Sequence, residues 1–236
     1  MKQTSKYIKA LKAAFPNTIP IMTGFCFLGL SYGIYMSVSG FSFVYPMLMA
    51  ITIFGGSLEF VAVSMLLSTF APIQALLMAI MIQARHLFYG IAMLDKFKGL
   101  GIKKWYLIFG MCDESFSINY TVQIPEDVDE GWFMFFVTIL NQMYWVIAAT
   151  IGGLIGPHLS INLKGLDFVM TAMFVVIFME QWFKEEKHYT AYIGIFVSII
   201  CLKIFGSDSF MIPTMLGILF LLTVARKPIE KKGGIV

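Results

Sequence analysis

The stretch FVYPMLMAITIFGGSLEFVAVSMLLS, residues 43–68, carries a glycine pair and a carboxylate inside an otherwise apolar run. The run is long enough to cross a bilayer, which takes about 20 residues of helix. An ionised side chain at the centre of a bilayer helix costs at least ~2.5 kcal/mol, so such residues persist where they face a protein interior or a hydrated cavity. Glu59, in the middle of this stretch, is therefore a candidate functional group in a membrane protein.

The composition extends this interpretation to the whole chain. Only 13% of the 236 residues are charged, about half the share found in soluble domains. The stretches between apolar runs are too short for a soluble domain. We predict an all-α protein, a polytopic transmembrane helical bundle with about seven or eight membrane segments. The apolar blocks are 16–38, 43–68, 72–94, 104–122, 132–154, 166–182, 189–205 and 209–225.

Basic residues cluster outside these blocks, at both chain ends and in the loop 96–104. We predict a basic amphipathic segment at 1–15, lying on the membrane surface, a single transmembrane helical domain at 16–226 and a basic tail at 227–236. The positive-inside rule makes the N-terminus cytoplasmic. No soluble basic face is available for nucleic acid, so the lipid bilayer is the expected surface partner.

The lysine cluster at 96–104 constrains the path of the chain. If every block crossed once from a cytoplasmic N-terminus, this loop would lie outside, against the positive-inside rule. A discontinuous or re-entrant second segment removes the conflict, with half-helices at 43–54 and 57–68 and Gly55-Gly56-Ser57 at the tip. Block 104–122 then runs outward and places the acidic loop 126–130 outside. The alternative is that the two glycines simply allow close helix packing.

The tip of this hairpin is a candidate substrate site. Backbone N–H groups of a helix that begins near Gly56 and Ser57 suit a carboxylate, because they are unpaired and lie at the positive end of the helix dipole. We interpret Glu59 either as a group that holds a substrate ammonium or a coupling proton, or as a structural polar contact to another helix.

IQARHLFYG, residues 82–90, places two further ionisable groups in the third block. Arg85 lies about nine residues, or roughly 13 Å, from the end of that block, which is deep for a side chain that merely reaches the interface. We interpret Arg85 either as part of a structural or gating ion pair with Glu59, Asp113 or Glu114, or as a group that contacts the substrate directly. His86 is interpreted either as a neutral, hydrogen-bonded side chain or as a proton relay.

CDESF, residues 112–116, contributes the adjacent carboxylates Asp113 and Glu114. Neighbouring helical residues point about 100° apart, so we expect one to face Arg85 and the other a cavity or a second subunit. Asp167, in GLDFVMTAMF, is interpreted as a favourable partner of a helix dipole. No metal-ligand spacing is present, and we expect no metal and no cofactor.

Two further pieces belong to the same ordered pattern, PIMTGFCFLGLSYG at 20–33 and YWVIAATIGGLIG at 144–156. Taken together, these segments resemble the AzlC family, the large subunit of bacterial branched-chain amino-acid exporters. The resemblance covers nearly the whole chain. It implies export of leucine, isoleucine, valine or related neutral amino acids across the bacterial cytoplasmic (inner) membrane, together with a small AzlD-like membrane subunit. The family pattern leads us to expect glutamine at Glu59 and Asn-Leu-Arg-His at 83–86, where this chain differs. The matching pieces are PIMTGFCFLGLSYG (20–33), FGGSLEF (54–60), QARHLFYG (83–90), CDESF (112–116), YWVIAATIGGLIG (144–156) and GLDFVMTAMF (165–174).

The residues support a membrane transporter rather than an enzyme. An ion- or proton-coupled exporter of amino acids is the first hypothesis, since no nucleotide-binding P-loop is present. A passive channel, or a transporter for another small solute, is the alternative. An intramembrane hydrolase built on Ser57 and His86 is a third hypothesis, but no second motif supports it.

Overall fold

The computed structural model describes residues 2–83, 85–159 and 188–206, with shorter stretches at 175, 178–179, 182–183, 210, 213–214, 216–218 and 220–224. The chain divides into two compact units, residues 1–170 and 171–236. Regular secondary structure in the described residues is helical throughout, as predicted. The α-helices of the first unit are α1 (Lys2–Val38), α2 (Val44–Thr52), α3 (Gly56–Leu67), α4 (Pro72–Gln83), α5 (Arg85–Met93), α6 (Lys103–Phe109), α7 (Asp113–Thr121) and α8 (Glu130–Ile155), followed by a 3-10 turn at Gly156–His158.

The frame of the first unit is a parallel pair formed by α1 and α8. Lys6, near the start of α1, lies 2.9 Å from Asp129, which precedes α8. Gly33 of α1 meets the backbone of Ala149 and Gly153, and Ser37 contacts Gly156 at the far end of both helices. Both helices therefore begin at one end of the unit, which we call the lysine end, and finish at the opposite end. Each is long and apolar enough to cross a membrane.

The second apolar block is broken, as predicted. α2 spans about 14 Å and α3 about 18 Å, so neither half crosses a bilayer alone. α2 starts at the opposite end, where Pro46 packs near Gly153. Near the end of α2, the Ile51 carbonyl accepts a hydrogen bond from Gln142 in the middle of α8. α3 then returns, because Phe60 packs against Tyr32 and Tyr35 towards the end of α1. The pair α2–α3 is a re-entrant hairpin that enters from the opposite end.

The helices α4 and α5 together form a third apolar path through the unit. Their axes are bent by 49° between Pro72–Ile80 and Arg85–Met93. Met93 and Phe97 end this path in a buried cluster at the lysine end, with Ala14 of α1 and Phe133 of α8. Among the described residues, the bent pair and the two long helices give up to three membrane spans. The total of seven or eight segments stays a prediction.

The fourth block forms a second hairpin, and our prediction that it crosses to place the acidic loop outside is wrong. α6 starts at the lysine end, where Lys103 Nζ lies 3.7 Å from Asp129. The helix breaks at Gly110–Cys112, and α7 returns until its last carbonyls, on Asn119 and Tyr120, accept hydrogen bonds from Lys96 Nζ. Because α6 and α7 enter and leave at the same end, the acidic loop lies beside the lysines.

The N-terminal segment is the first part of α1 and packs against the acidic loop. Residues 2–15 continue into the first span as one helix, α1. Lys6 and Lys9 pair with Asp129 and Asp127, at 2.9 Å and 2.8 Å. The basic segment therefore packs along the acidic loop, and two lysines pair with two aspartates at the lysine end of the unit.

In the second unit, the longest described helix is α9 (Tyr189–Phe205). Trp182 stacks on His188 before it, with ring centroids 3.9 Å apart. Gly206, at a φ of 73°, ends α9. Asp167, the segment GLDFVMTAMF and the tail 227–236 lie outside the described residues.

Candidate functional site

The tip of the α2–α3 hairpin is held by Glu59. The chain turns through Phe54, at a φ of 46°, and α3 starts after Gly55. The Glu59 carboxylate accepts the Gly55 N–H at 3.0 Å and the Trp145 indole N–H at 3.1 Å from α8. The Glu59 side chain has no exposed surface. A buried carboxylate requires such donors, so this geometry supports the structural interpretation of Glu59.

Gly55 is required by a close approach at the same tip. A Cβ atom at this position would overlap the side-chain amide of Gln83, the last residue of α4. The bend between α4 and α5 thus packs directly against the tip of the first hairpin. Two interrupted segments meet at this point of the unit.

The tip of the α6–α7 hairpin supplies a second set of polar groups. α7 begins at Asp113, directly after the break, with Glu114 in the same first turn. The Ser115 hydroxyl accepts a hydrogen bond from Asn141 Nδ2 of α8 at 3.1 Å. Asn141 has no exposed surface, and Ser115 is 1% exposed. This buried bond fixes the second tip to the middle of α8.

Arg85 joins the two tips. Its Nη1 lies 2.7 Å from Asp113 Oδ2, and its Nη2 donates to the Ser57 hydroxyl at 3.2 Å. Of the three acids expected to pair with Arg85, the structure selects Asp113. Both side chains are about two-thirds buried, at 35% and 28% exposure. A partly buried ion pair stabilises the fold only if its remaining polar atoms are also satisfied.

Four buried polar atoms, two of them in this ion pair, have no hydrogen-bond partner among the residues that the structure describes. Arg85 Nε, Asp113 Oδ1 and Gln83 Oε1 are buried and unpaired, as is Asn141 Oδ1. Native proteins pair the great majority of buried polar atoms. The Arg85–Asp113 pair thus keeps one free donor and one free acceptor of its own, and the residues that contact the two hairpin tips add two further free acceptors.

We call Ser57, Gln83, Arg85, Asp113 and Asn141 the polar cluster. This cluster lies at about half the depth of the unit. Asn141 and Trp145 are about 17 Å and 23 Å along α8, which is about 39 Å long. The two hairpin tips approach this level from opposite ends. Helix breaks at membrane depth are tolerated where backbone lines a cavity, and transporters place substrate sites at such breaks.

The other predicted residues have separate surroundings. His86 Nδ1 lies 3.3 Å from the Gln83 carbonyl, and the ring packs edge-on to Tyr89. Glu114 follows Asp113 in α7 but is absent from the ion pair that Asp113 makes. Ser57 is hydrogen-bonded to Arg85, whereas a serine hydrolase requires a hydrogen bond from the serine to its base. Asp167 lies outside the described residues.

Comparison with known proteins identifies the family of the chain. The family profile described as AzlC protein matches residues 20–159, more than half of the chain. The chain belongs to the AzlC family. The matched range contains both hairpins, Arg85 and α8, which contacts both tips.

Relatives of similar length support the same assignment. The chain is 58% identical to the Bacillus subtilis branched-chain amino acid transport protein AzlC, over 98% of this chain and 91% of that protein. It is 48% identical to a Haemophilus influenzae uncharacterized membrane protein, over 95% of this chain and 92% of that protein. A Helicobacter pylori uncharacterized membrane protein is 32% identical, over 95% of this chain and 98% of that protein. No solved structure matches the chain.

Sequence reasoning missed Gln83, Asn141 and Trp145. All three are uncharged and lie in apolar blocks, where average hydropathy hides them. The adjacent amides Asn141 and Gln142 were a usable signal, because side-chain amides inside a membrane segment seek partners on other helices. Trp145 had no such signal, since tryptophan is compatible with lipid, interface or core.

An open groove of about 470 Å³ lies elsewhere, between α3 and α4. Its lining is mostly apolar and includes Met65, Phe70 and Met78, with Ser64 and Gln74 among its polar members. None of the charged residues of the cluster lines this groove. We therefore place the candidate site at the hairpin tips, where the polar groups converge.

Proposed function

We propose that this AzlC-family protein exports branched-chain or related neutral amino acids across the bacterial cytoplasmic membrane. The observation that carries the proposal is Arg85, which binds Ser57 on one hairpin tip and Asp113 on the other at the middle of the unit. Charged groups at this depth are costly and mark substrate or ion pathways. The name of the B. subtilis relative, a branched-chain amino acid transport protein, supports an amino acid as the substrate.

The hairpins support a transport mechanism because they enter from opposite ends. Each tip separates the central cluster from one end of the unit. Movement of the α2–α3 tip opens the cluster to one side, and movement of the α6–α7 tip opens it to the other. Transporters with inverted elements and broken helices expose a fixed central site alternately in this way.

Export requires a source of energy and, in our proposal, a small AzlD-like membrane subunit. An ion gradient, with a proton as the preferred ion, supplies the energy through Glu59, Asp113 or Glu114. A proton on Asp113 would neutralise the partner of Arg85 and loosen the link between the tips. The lysine end, with Lys6, Lys9 and Lys103, is cytoplasmic in this proposal, in agreement with the positive-inside rule.

Radiolabelled leucine efflux from preloaded cells tests the proposal. We expect faster efflux in cells that express this chain with a small AzlD-like subunit than in cells that express either alone. Efflux should saturate and proceed against a leucine gradient. Non-saturating flux that only follows the gradient would instead support the passive channel, and transport of another solute alone would reassign the substrate.

Coupling is tested separately with Glu59→Gln. If Glu59 carries the coupling proton, this variant should lose the pH dependence of efflux while still inserting in the membrane. Unchanged pH dependence would restrict Glu59 to its contacts with Gly55 and Trp145, and would leave Asp113 and Glu114 as the coupling candidates.

A further inference from the structure

We propose that the transported amino acid binds by inserting between Arg85 and Asp113, its carboxylate on Arg85 and its ammonium on Asp113. This inference rests on the proposed function and names the groups that recognise the substrate. The ion pair then represents the substrate-free arrangement of the site. When the zwitterion binds, two new ion pairs replace the direct one: Arg85 with the substrate carboxylate, and Asp113 with the substrate ammonium.

The unused atoms of the cluster fit this exchange. Arg85 has a free Nε–H, which together with an Nη–H forms the fork that binds a carboxylate through two parallel hydrogen bonds. Asp113 Oδ1 and Gln83 Oε1 are free acceptors. An ammonium group has three N–H donors and no acceptor, so it requires acceptors of this kind.

Charge balance makes the site selective for zwitterions. Arg85 and Asp113 together carry no net charge, and neither does a neutral amino acid. A ligand with a single charged end would separate the pair and leave one partner with an uncompensated charge. Leaving one charge of a partly buried pair uncompensated is unfavourable, and more so at membrane depth.

The exchange also connects binding to the hairpins. Arg85 contacts Ser57 on the α2–α3 tip, whereas Asp113 belongs to the α6–α7 tip. When the amino acid inserts, the direct link between the tips becomes a link through the substrate. Loading of the site thereby changes the contact that holds the two hairpins together.

Competition binding on the purified full chain tests the proposal, with tritiated leucine as the probe. Three competitors of similar shape are used: leucine, leucinamide without the carboxylate, and 4-methylpentanoate without the ammonium. We expect each single-charge analogue to compete at least 10-fold more weakly than leucine. Competition by either analogue within 3-fold of leucine would overturn the proposal, and this measurement requires no variant.

Variants locate the site. Asp113→Asn and Arg85→Lys should each weaken leucine binding at least 10-fold, the latter because lysine lacks the planar fork. Asp95→Asn is the matched control, since Asp95 forms an exposed pair with Lys98 in a loop, and it should bind within 2-fold of the wild type. Wild-type affinity in Asp113→Asn would overturn the site. Absence of leucine binding and leucine efflux in the wild type would overturn the proposed function, whereas intact efflux with effective competition by leucinamide would overturn this site alone.

Discussion

Glu59 has both carboxylate oxygens engaged although its side chain is inaccessible to solvent. Glu59→Ala would leave the Gly55 N–H and the Trp145 indole N–H unpaired, at a cost of roughly 1–3 kcal/mol each. We expect the melting temperature of the purified protein to fall by about 5 °C or more. Glu59→Gln, which keeps an acceptor for both donors, should lose much less. Equal melting temperatures for the two variants would show that these hydrogen bonds do not hold the tip.

Single residues could be predicted from the sequence only in part. The depth of Arg85 in its block already required an acidic partner, because an isolated cation there is too costly. The choice of Asp113 over Glu114 depends on where α7 starts, since adjacent residues point in different directions. Trp145 could not be predicted as the partner of Glu59, because only the fold brings α3 and α8 together.

The packing of α1 on α8 depends on Gly33, where a Cβ atom would overlap the Ala149 carbonyl and lie 2.6 Å from Gly153 N. Gly33→Ala should separate the helices and lower the melting temperature. Gly24→Ala is a matched control on the same helix, because nothing lies within 4 Å of its added Cβ. That control should be neutral or stabilising by about 0.5–1 kcal/mol, since alanine favours helix more than glycine does. Similar losses in both variants would contradict the close-packed interface.

Asp129 caps α8 and pairs with Lys6, which predicts a pH dependence. Partial burial acts to raise the pKa of Asp129, but hydrogen bonds from Lys6 and the Trp132 N–H, with the nearby charge of Lys103, lower it overall. A carboxyl with a lowered pKa stabilises the folded protein above its unfolded-state pKa, near 3.9, and loses that contribution as the pH falls through the folded-state pKa.

Asp129→Asn removes the charge and keeps an N-cap. In thermal unfolding at pH 7, we expect a loss of up to about 1 kcal/mol relative to the wild type, typical of a partly exposed pair. The difference should shrink as the pH falls from about 4 towards 3. A difference that is constant over this range would contradict a charge effect. Asp129→Ala, which also loses the cap, should cost about 1 kcal/mol more at every pH.

The broken elements differ in how visible they are in the sequence. The α2–α3 break follows from two adjacent glycines and from the conflict between a continuous helix and the lysine loop. The α6–α7 break is marked by Gly110 and by the adjacent carboxylates Asp113 and Glu114, which we read as functional groups within a single crossing. The contacts of Lys96 with the last carbonyls of α7 show the return of the chain, and no local pattern predicts them.

The first unit as a whole has an inverted order of elements. α1 runs from the lysine end and is followed by a hairpin that enters from the opposite end. The bent pair α4–α5 runs back and is followed by a hairpin that enters from the lysine end. Two similar arrangements of opposite direction thus bring their tips to one level, where Arg85 lies between them. This arrangement explains how charges far apart in the sequence come together.

The second hairpin also changes the predicted path of the whole chain. α8 ends at the opposite end, and three apolar blocks, 166–182, 189–205 and 209–225, follow it in the sequence. If each crosses once, the basic tail returns to the side of the lysine end. The positive-inside rule favours the same side.

Cysteine labelling checks this path in a variant that lacks Cys26, Cys112 and Cys201. Single cysteines replace Lys98, Glu126, Ser42 and Gly233, and a membrane-impermeant maleimide is applied to intact cells and to inverted vesicles. We expect the positions 98, 126 and 233 to label in inverted vesicles, and position 42, between α1 and α2, to label in intact cells. Labelling of position 126 from the same side as position 42 would contradict the second hairpin, because a single crossing by block 104–122 requires that result. Labelling of position 233 from the same side as position 42 would contradict only the single crossings of the blocks 166–182, 189–205 and 209–225.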